Sequence, residues 1–237
     1  MAVETLATAE VVDLAVTSLR ELNQRLHDVA GDAPEPRQWQ IVNPNGAHAV
    51  ACGIDAPLEV EIVGHVGYYC AGMNKHASVR VRGNAGTGLA ENIMSGTVVV
   101  EGNVSQSAGA TGRGGLLVIH GAAAARCGIS MKGVDIVVRG SIGHMSAFMA
   151  QRGCLVVCGD AGEALGDSIY ETHIYVRGEV ASLGADCVEK ELRDNHVAEL
   201  RSLLERAGFD DLDPGAFRRY GSARQLYNFK VDNAGAY

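Results

Sequence analysis

The hydrophobic pattern of this chain repeats every 19 residues over its central part. Seven glycines each follow a short apolar run, and each lies 19 residues after the last: Gly64, Gly83, Gly102, Gly121, Gly140, Gly159 and Gly178. Two positions before every one of them the residue is Ile or Val, and four positions before it is Val, Leu or Ile. The position directly before the glycine is mixed, as Arg82, His120 and Cys158 illustrate. Such period-2 alternation predicts a strand with one buried face.

One such strand per 19 residues predicts that equivalent strands stack in parallel, about 4.8 Å apart, and that their apolar columns line a tube. The fold class is therefore all-β, a single-stranded parallel β-helix, or solenoid, of about seven 19-residue coils. We expect the chain to turn sharply at these glycines, often at positive φ, where a Cβ would clash. Gly83–Gly88 resembles a dinucleotide loop, but a strand follows it at the coil spacing where that loop needs a helix. Gly109–Gly115 resembles a phosphate-binding loop but lacks the Gly-Lys-Ser/Thr ending, so we interpret both as turns.

Helical patterns flank the repeat, as the open ends of a solenoid require. An apolar stripe from Val12 to Val29 predicts a helix within residues 1–38, followed by a linker. Residues 39–187 form the predicted glycine-repeat β-helix. Residues 188–207 carry a second helical stripe that ends at Gly208, and within 188–237 an aromatic docking tail follows. The tail aromatics are Phe217, Tyr220, Tyr227, Phe229 and Tyr237.

Composition narrows the function classes. The net charge of −8 argues against a nucleic-acid partner, and no apolar run is long enough to span a bilayer. The N-terminus shows no secretory signal, so we expect a cytoplasmic protein. The six cysteines include no Cys-x-x-Cys pair and are expected to be reduced thiols.

The residues predict no catalytic, cofactor-binding or metal-ligating group of the chain's own. The eight histidines form no ligand pair, and Cys154 and Cys158 lie too far apart along one strand to share a metal or a disulfide. The loops between strands suggest a contact surface, because methionine recurs in them and its flexible side chain suits adaptable contacts. We predict a partner interface or channel wall along one side of the tube, composed of Met73, Asn92, Met94, Arg113, Met131, Lys132 and Met145. Ordinary packing at the coil corners is the alternative.

The repeats resemble a known family. The stretches GHVGYYCAGMNKHA, SQSAGATGRGGLLVIHG and GDAGEALGDSIYE, with FRRYGSARQLYNF near the end, are similar to the glycine-repeat (GXGXG) β-helix of the large subunit of glutamate synthase. As a stand-alone chain with helical ends, it most resembles the small β-helix subunit of N-methylglutamate synthase. The resemblance spans about residues 39–237.

The resemblance implies a non-catalytic structural subunit of an enzyme complex that transfers an amine. It would hold a class II glutaminase-like subunit and an FMN and iron–sulfur subunit in register and line an amine passage, with both cofactors in the partner. The complex would be a hetero-oligomer, with neither nucleic acid nor membrane as a partner. Two alternatives stay open, the β-helix scaffold of a formylmethanofuran dehydrogenase-type complex and an independent β-helix acyltransferase. The latter would favour a six-residue period.

Overall fold

Stacked strands organise the computed structural model, which describes residues 9–29 and 37–225. The strands are β1 Glu10–Asp13, β2 Arg37–Val42, β3 Leu58–Val63, β4 Ser78–Arg82, β5 Thr97–Val100, β6 Leu116–Ile119, β7 Asp135–Val138, β8 Cys154–Val157, β9 His173–Val176, β10 Cys187–Lys190 and β11 Arg218–Ser222. The helices are α1 Leu19–His27 and α2 Asp194–Ala207, with a short 3-10 helix at Pro214–Ala216. β1 to β9 lie side by side in chain order and in parallel, and β11 and then β10 complete the sheet.

The predicted β-helix is confirmed. From β3 to β9 each strand pairs with the next at an offset of 19 residues, as Val60 with Val79 and Ile136 with Leu155 show. The two aliphatic columns are buried in every coil, with no member more than 2% exposed. They are Val60, Val79, Val98, Leu117, Ile136, Leu155 and Ile174, and Ile62, Val81, Val100, Ile119, Val138, Val157 and Val176.

A second wall of the tube consists of single-residue parallel bridges. Two residues after each turn glycine, small or aliphatic side chains bridge from coil to coil and pack inward: Val66, Ala85, Val104, Ala123, Ile142, Ala161 and Val180. This column has the same 19-residue spacing as the strands. The tube interior is therefore enclosed by the strands on one side and by this bridge column on another.

The turn glycines are required for a different reason from the one predicted. Of the seven, only Gly64 has a positive φ, of 130°. Successive turn glycines instead touch each other, with N–H to O=C hydrogen bonds of 2.9 to 3.1 Å from Gly83 to Gly178. A Cβ on Gly121 would lie 2.5 Å from the Gly102 carbonyl oxygen and 2.4 Å from Oδ1 of Asn103. Close approach of backbones, rather than a left-handed conformation, excludes every side chain here.

Polar side chains next to these glycines bind the following coil. Oδ1 of Asn84 accepts a hydrogen bond from the N–H of Asn103 at 2.8 Å, and Oδ1 of Asn103 accepts one from the N–H of Ala122 at 2.8 Å. Ser141 and Asp160 repeat the contact in later coils. We call this column the polar ladder; it is interrupted at Ala122, which has no side-chain acceptor.

The N-terminal cap is shorter than its apolar stripe predicted. Val12 lies in β1, which pairs in parallel with β2, and α1 begins only after Ser18, whose side chain accepts from the N–H of Glu21. Leu22 and Leu26 are fully buried against the first coil. The helix begins after Ser18 because the Ser18 hydroxyl accepts a hydrogen bond from a free N–H of the first turn. Val12 lies before this cap, so it is not part of the helix.

At the other end, part of the predicted helix is a strand. β10 precedes α2, which begins at Asp194 and ends at Gly208 with φ of 75°, as the predicted stop required. From the tail, Phe217 and Tyr220 are buried in this chain, and β11 inserts antiparallel between β9 and β10. Tyr227, Phe229 and Tyr237 lie outside the described residues.

The outer face of the strands divides into a charged and an apolar part. On β3 to β5 it carries ion pairs, such as Arg82 with Glu61 and with Glu101. On β6 to β9 it is apolar, and α2 and its following loop cover it, with Leu200, Leu204 and Phe209 in the contact. Cys154 and Cys158 lie on this outer face and are consequently buried beneath the cap.

Gly121→Ala should destabilise the protein by about 3 kcal/mol, because the new methyl overlaps backbone atoms that cannot move aside. Gly215→Ala is the matched control, since its Cβ would only approach the Asp213 carboxylate at 3.3 Å. Urea unfolding of both variants measures the difference. Equal stabilities would contradict the glycine contact.

Ala122→Asn should stabilise the protein by about 1 kcal/mol, because the new amide oxygen would complete the polar ladder by accepting from the N–H of Ser141. Ala181→Asn, on an exposed site outside the ladder, is the control. Thermal unfolding distinguishes them, and a destabilised Ala122→Asn protein would show that the ladder position cannot accommodate the side chain.

Candidate functional site

The corners of the coils have an unusual backbone that recurs at the 19-residue spacing. Left-handed residues form a column with φ between 52° and 57°: Met73, Asn92, Thr111, Ser130, Met149 and Ser168. A non-glycine residue in this region is held there at a cost, so the surrounding structure must determine it. Here the neighbouring coil does so, because the N–H of Met73 bonds to Glu91 O at 2.8 Å and that of Asn92 to Ala110 O at 2.9 Å. Side chains on these corners therefore project from a well-defined frame.

The predicted interface residues occupy several positions of the corner. Met73 and Asn92 belong to the left-handed column, whereas Met94, Arg113 and Lys132 form a second column, linked coil to coil through their backbone N–H groups. Met145 belongs to a third column, with φ of 53°, and is half-buried. Met131 is fully buried inside the tube, so it packs in the core and cannot contact a partner.

Asn92 is engaged within the chain. Its Nδ2 donates to the Tyr69 hydroxyl at 3.2 Å, and its Oδ1 accepts from Thr111 Oγ1 at 2.6 Å. Its side chain therefore joins three successive coils.

Four of the predicted residues are exposed, and Tyr68, at an earlier corner position, is exposed as well. We call these five the corner strip: Tyr68, Met73, Met94, Arg113 and Lys132. Tyr68, Met73 and Met94 are 59%, 48% and 42% exposed, although they are large and apolar. Arg113 and Lys132, on consecutive coils, form no ion pair with any residue that the structure describes. Tyr68 was not among the predicted interface residues.

A polar cluster lies at the junction between the sheet and α2. Glu199 of α2 hydrogen-bonds His173 Nδ1 at 2.8 Å and accepts from the Tyr175 hydroxyl. The thiol of Cys154 is close as well, since the ligand atoms of Cys154, His173 and Glu199 all lie within 4.8 Å of one another. Sequence reasoning missed this cluster because its members come from β8, β9 and α2, with no local spacing to reveal it.

The chemistry of this cluster follows from its hydrogen bonds. The bond from His173, with that from Tyr175, lowers the pKa of Glu199 to about 2 against the cost of burial. Burial raises the pKa of Cys154 and that of Tyr175, and the neighbouring Glu199 raises them further. Glu199 is therefore an ionised acceptor beside the protonated hydroxyl of Tyr175 and the protonated thiol of Cys154. Sulfur, imidazole and carboxylate are ligands that suit zinc, but here each already serves as a partner of the others.

The other buried thiols are also protonated at neutral pH. Burial raises the pKa of Cys70, Cys127 and Cys187 to about 12. Since the thiolate is the reactive form, these three cysteines act as small core residues.

Fold and cap together define the class: a glycine-turn parallel β-helix, closed by a helix and an antiparallel strand pair. No protein-family model matches the chain. The chain is 62% identical over 227 residues to protein GlxC of Rhizobium meliloti (strain 1021), and the match covers 96% of this chain and 99% of that protein. The chain therefore belongs to the GlxC family. Neither helix of the described part is long and apolar enough to cross a membrane.

Glu199→Gln should reduce the pH dependence of stability. The folded-state pKa of about 2 lies below the ordinary 4.5, so the stabilisation is complete above pH 4.5 and is lost as the pH falls toward 2. The melting temperatures of the wild type and Glu199→Gln should therefore converge on acidification. Glu205→Gln, exposed on the same helix, should instead leave the wild-type profile unchanged. Parallel profiles for the wild type and Glu199→Gln would refute the role of Glu199.

Proposed function

We propose that the chain is a structural β-helix subunit of a glutamate synthase-like complex of the N-methylglutamate synthase type. It holds a glutaminase-like subunit and an FMN and iron–sulfur subunit in register. The amide hydrolysis and the flavin chemistry belong to those partners, and the complex joins the released amine to a glutamate-derived skeleton.

Two lines support this proposal. The β-helix has the fold that the resemblance to the glycine-repeat domain of glutamate synthase implies, and its coils follow the period of that repeat. The match to GlxC at 62% identity covers 99% of that protein, so the two chains share the glycine repeat.

The corner strip is the observation that carries the proposal. It combines exposed apolar side chains with two cations that lack a counter-ion in the described chain, on a protein with a net charge of −8. Interfaces favour methionine, tyrosine and arginine at their centres. Met73 belongs to the left-handed column. Met94, Arg113 and Lys132 bond to the preceding coil through their backbone N–H groups, so they recur at a fixed spacing that suits a surface holding two partners in register.

The strip predicts the chemistry of its partner. An acidic face with an apolar centre would neutralise Arg113 and Lys132 and cover Met73 and Met94. The same contact would exclude water from the corner side of the tube. In this way the strip would form one wall of a passage for the amine.

Arg113→Glu, Lys132→Glu and Met94→Asp should each weaken assembly by at least about tenfold, because each places a negative charge against an acidic or apolar surface. The measurement is size-exclusion chromatography of the chain with its co-expressed partners, together with N-methylglutamate formation. The melting temperature of each isolated variant should equal that of the wild type, since these side chains are exposed.

Arg20→Glu is the matched control, because it reverses an exposed cation outside the strip and should leave assembly unchanged. Wild-type assembly and coupling in all three strip variants would show that the corner faces solvent. Assembly without N-methylglutamate formation in the wild type would retain the scaffold and reject this amine.

A further inference from the structure

A cavity of about 390 Å³ opens beside the C-terminal cap, between the β10–β11 pair, the start of α2 and the corner before β9. Its size falls within the range of small-molecule sites. It is lined mainly by polar side chains. The cavity has no counterpart in the other coils, because α2, β10 and β11 occur only here.

Two cations face each other in this cavity, and neither has a directly bonded carboxylate partner among the described residues. Lys190 of β10 is the direct register partner of Arg219 of β11, and both line the cavity. Like charges directly opposite on an antiparallel pair are destabilising. Neither forms an ion pair within 4.0 Å with a described residue. Of the carboxylates that line the cavity, Glu171 pairs with Arg224 at 3.3 Å and Glu191 with Arg193 at 2.8 Å, and the charge of Glu191 acts on Arg219 only beyond ion-pair distance.

A buried hydroxyl independently points to a missing partner. Thr172 is only 1% exposed and lines the cavity, yet its Oγ1 has no hydrogen-bond partner among the described residues. Nε of Arg219 is buried and unpartnered in the same way. Leaving a buried polar group unpaired costs about 1–3 kcal/mol, so such groups are retained where something binds them.

The start of α2 adds to the attraction. Arg193, at the N-cap, and Asn195, in the first turn, both line the cavity. The N-terminus of a 14-residue helix carries partial positive charge and free N–H groups, which favour an anion.

We propose that this cavity binds a small oxyanion ligand, whose carboxylate or phosphate group lies between Lys190 and Arg219 and accepts a hydrogen bond from the Thr172 hydroxyl. The guanidinium of Arg219 donates through Nε and a terminal nitrogen, the paired geometry that suits both kinds of oxyanion. The ligand removes the repulsion between the two cations and satisfies both buried donors. This inference does not rest on the proposed assembly, since it concerns the isolated chain.

The test is titration calorimetry of the full chain with sodium phosphate and with sodium succinate, with sodium chloride at matched ionic strength as the reference. One of the two anions should bind saturably below about 10 mM, and the one that does identifies the ligand group. Arg219→Gln should weaken that binding by at least about tenfold, whereas Arg201→Gln, exposed on α2, should leave it unchanged. Absence of saturable binding, or equal affinity in Arg219→Gln, would overturn the site.

Thr172→Val and Lys190→Gln test the site through the melting temperature as well as through anion affinity. Without added anion both variants should melt at a higher temperature than the wild type, because each removes an uncompensated group. Both should bind the anion more weakly. A less stable Thr172→Val protein with unchanged anion affinity would assign the hydroxyl to a structural water and refute the proposal.

Discussion

Backbone contact between successive turn glycines is the constraint on which the tube depends. Because every turn glycine from Gly102 to Gly178 bonds through its N–H to the glycine carbonyl one coil earlier, at 2.9 to 3.1 Å, these turns stack as closely as the strands do. That spacing brings the aliphatic columns into continuous contact and places each polar-ladder side chain over the next glycine. A larger residue at the turn would separate the coils there, and both the core and the ladder would lose contacts at once.

Different elements cover the two ends of the tube. At the first coil, α1 buries Leu22 and Leu26 against the open interior. At the last coil, β11 and β10 continue the sheet in antiparallel order, while α2 covers the outer face of β6 to β9. The C-terminal cap therefore buries both the last edge of the sheet and the outer face of β6 to β9. This is where the chain brings Cys154, His173 and Glu199 together and where it leaves Lys190 opposite Arg219.

The periodic part of the fold could be predicted from the sequence, because each column repeats one physical requirement seven times. The columns that begin at Val60 and Ile62 are recognisable because an aliphatic residue recurs at every nineteenth position after each of them. The caps could not be predicted in the same way. A helical stripe from Val12 to Val29 looks continuous until the pairing of β1 with β2 and the cap at Ser18 divide it. At the corners Met73 and Met94 are exposed and Met131 is buried, and nothing in the local sequence distinguishes the three.

The offset of 19 residues between paired strands from β3 to β9 also bears on how such a protein can change in length. From β2 to β3 the offset is 21 residues, so a coil accepts extra residues outside its strands while Ile41 stays paired with Ile62. Removing or duplicating a whole coil would preserve the glycine and aliphatic-column contacts and change the separation of the two ends by about 4.8 Å. The length of the tube therefore changes in steps of one coil, whatever the number of residues in each loop.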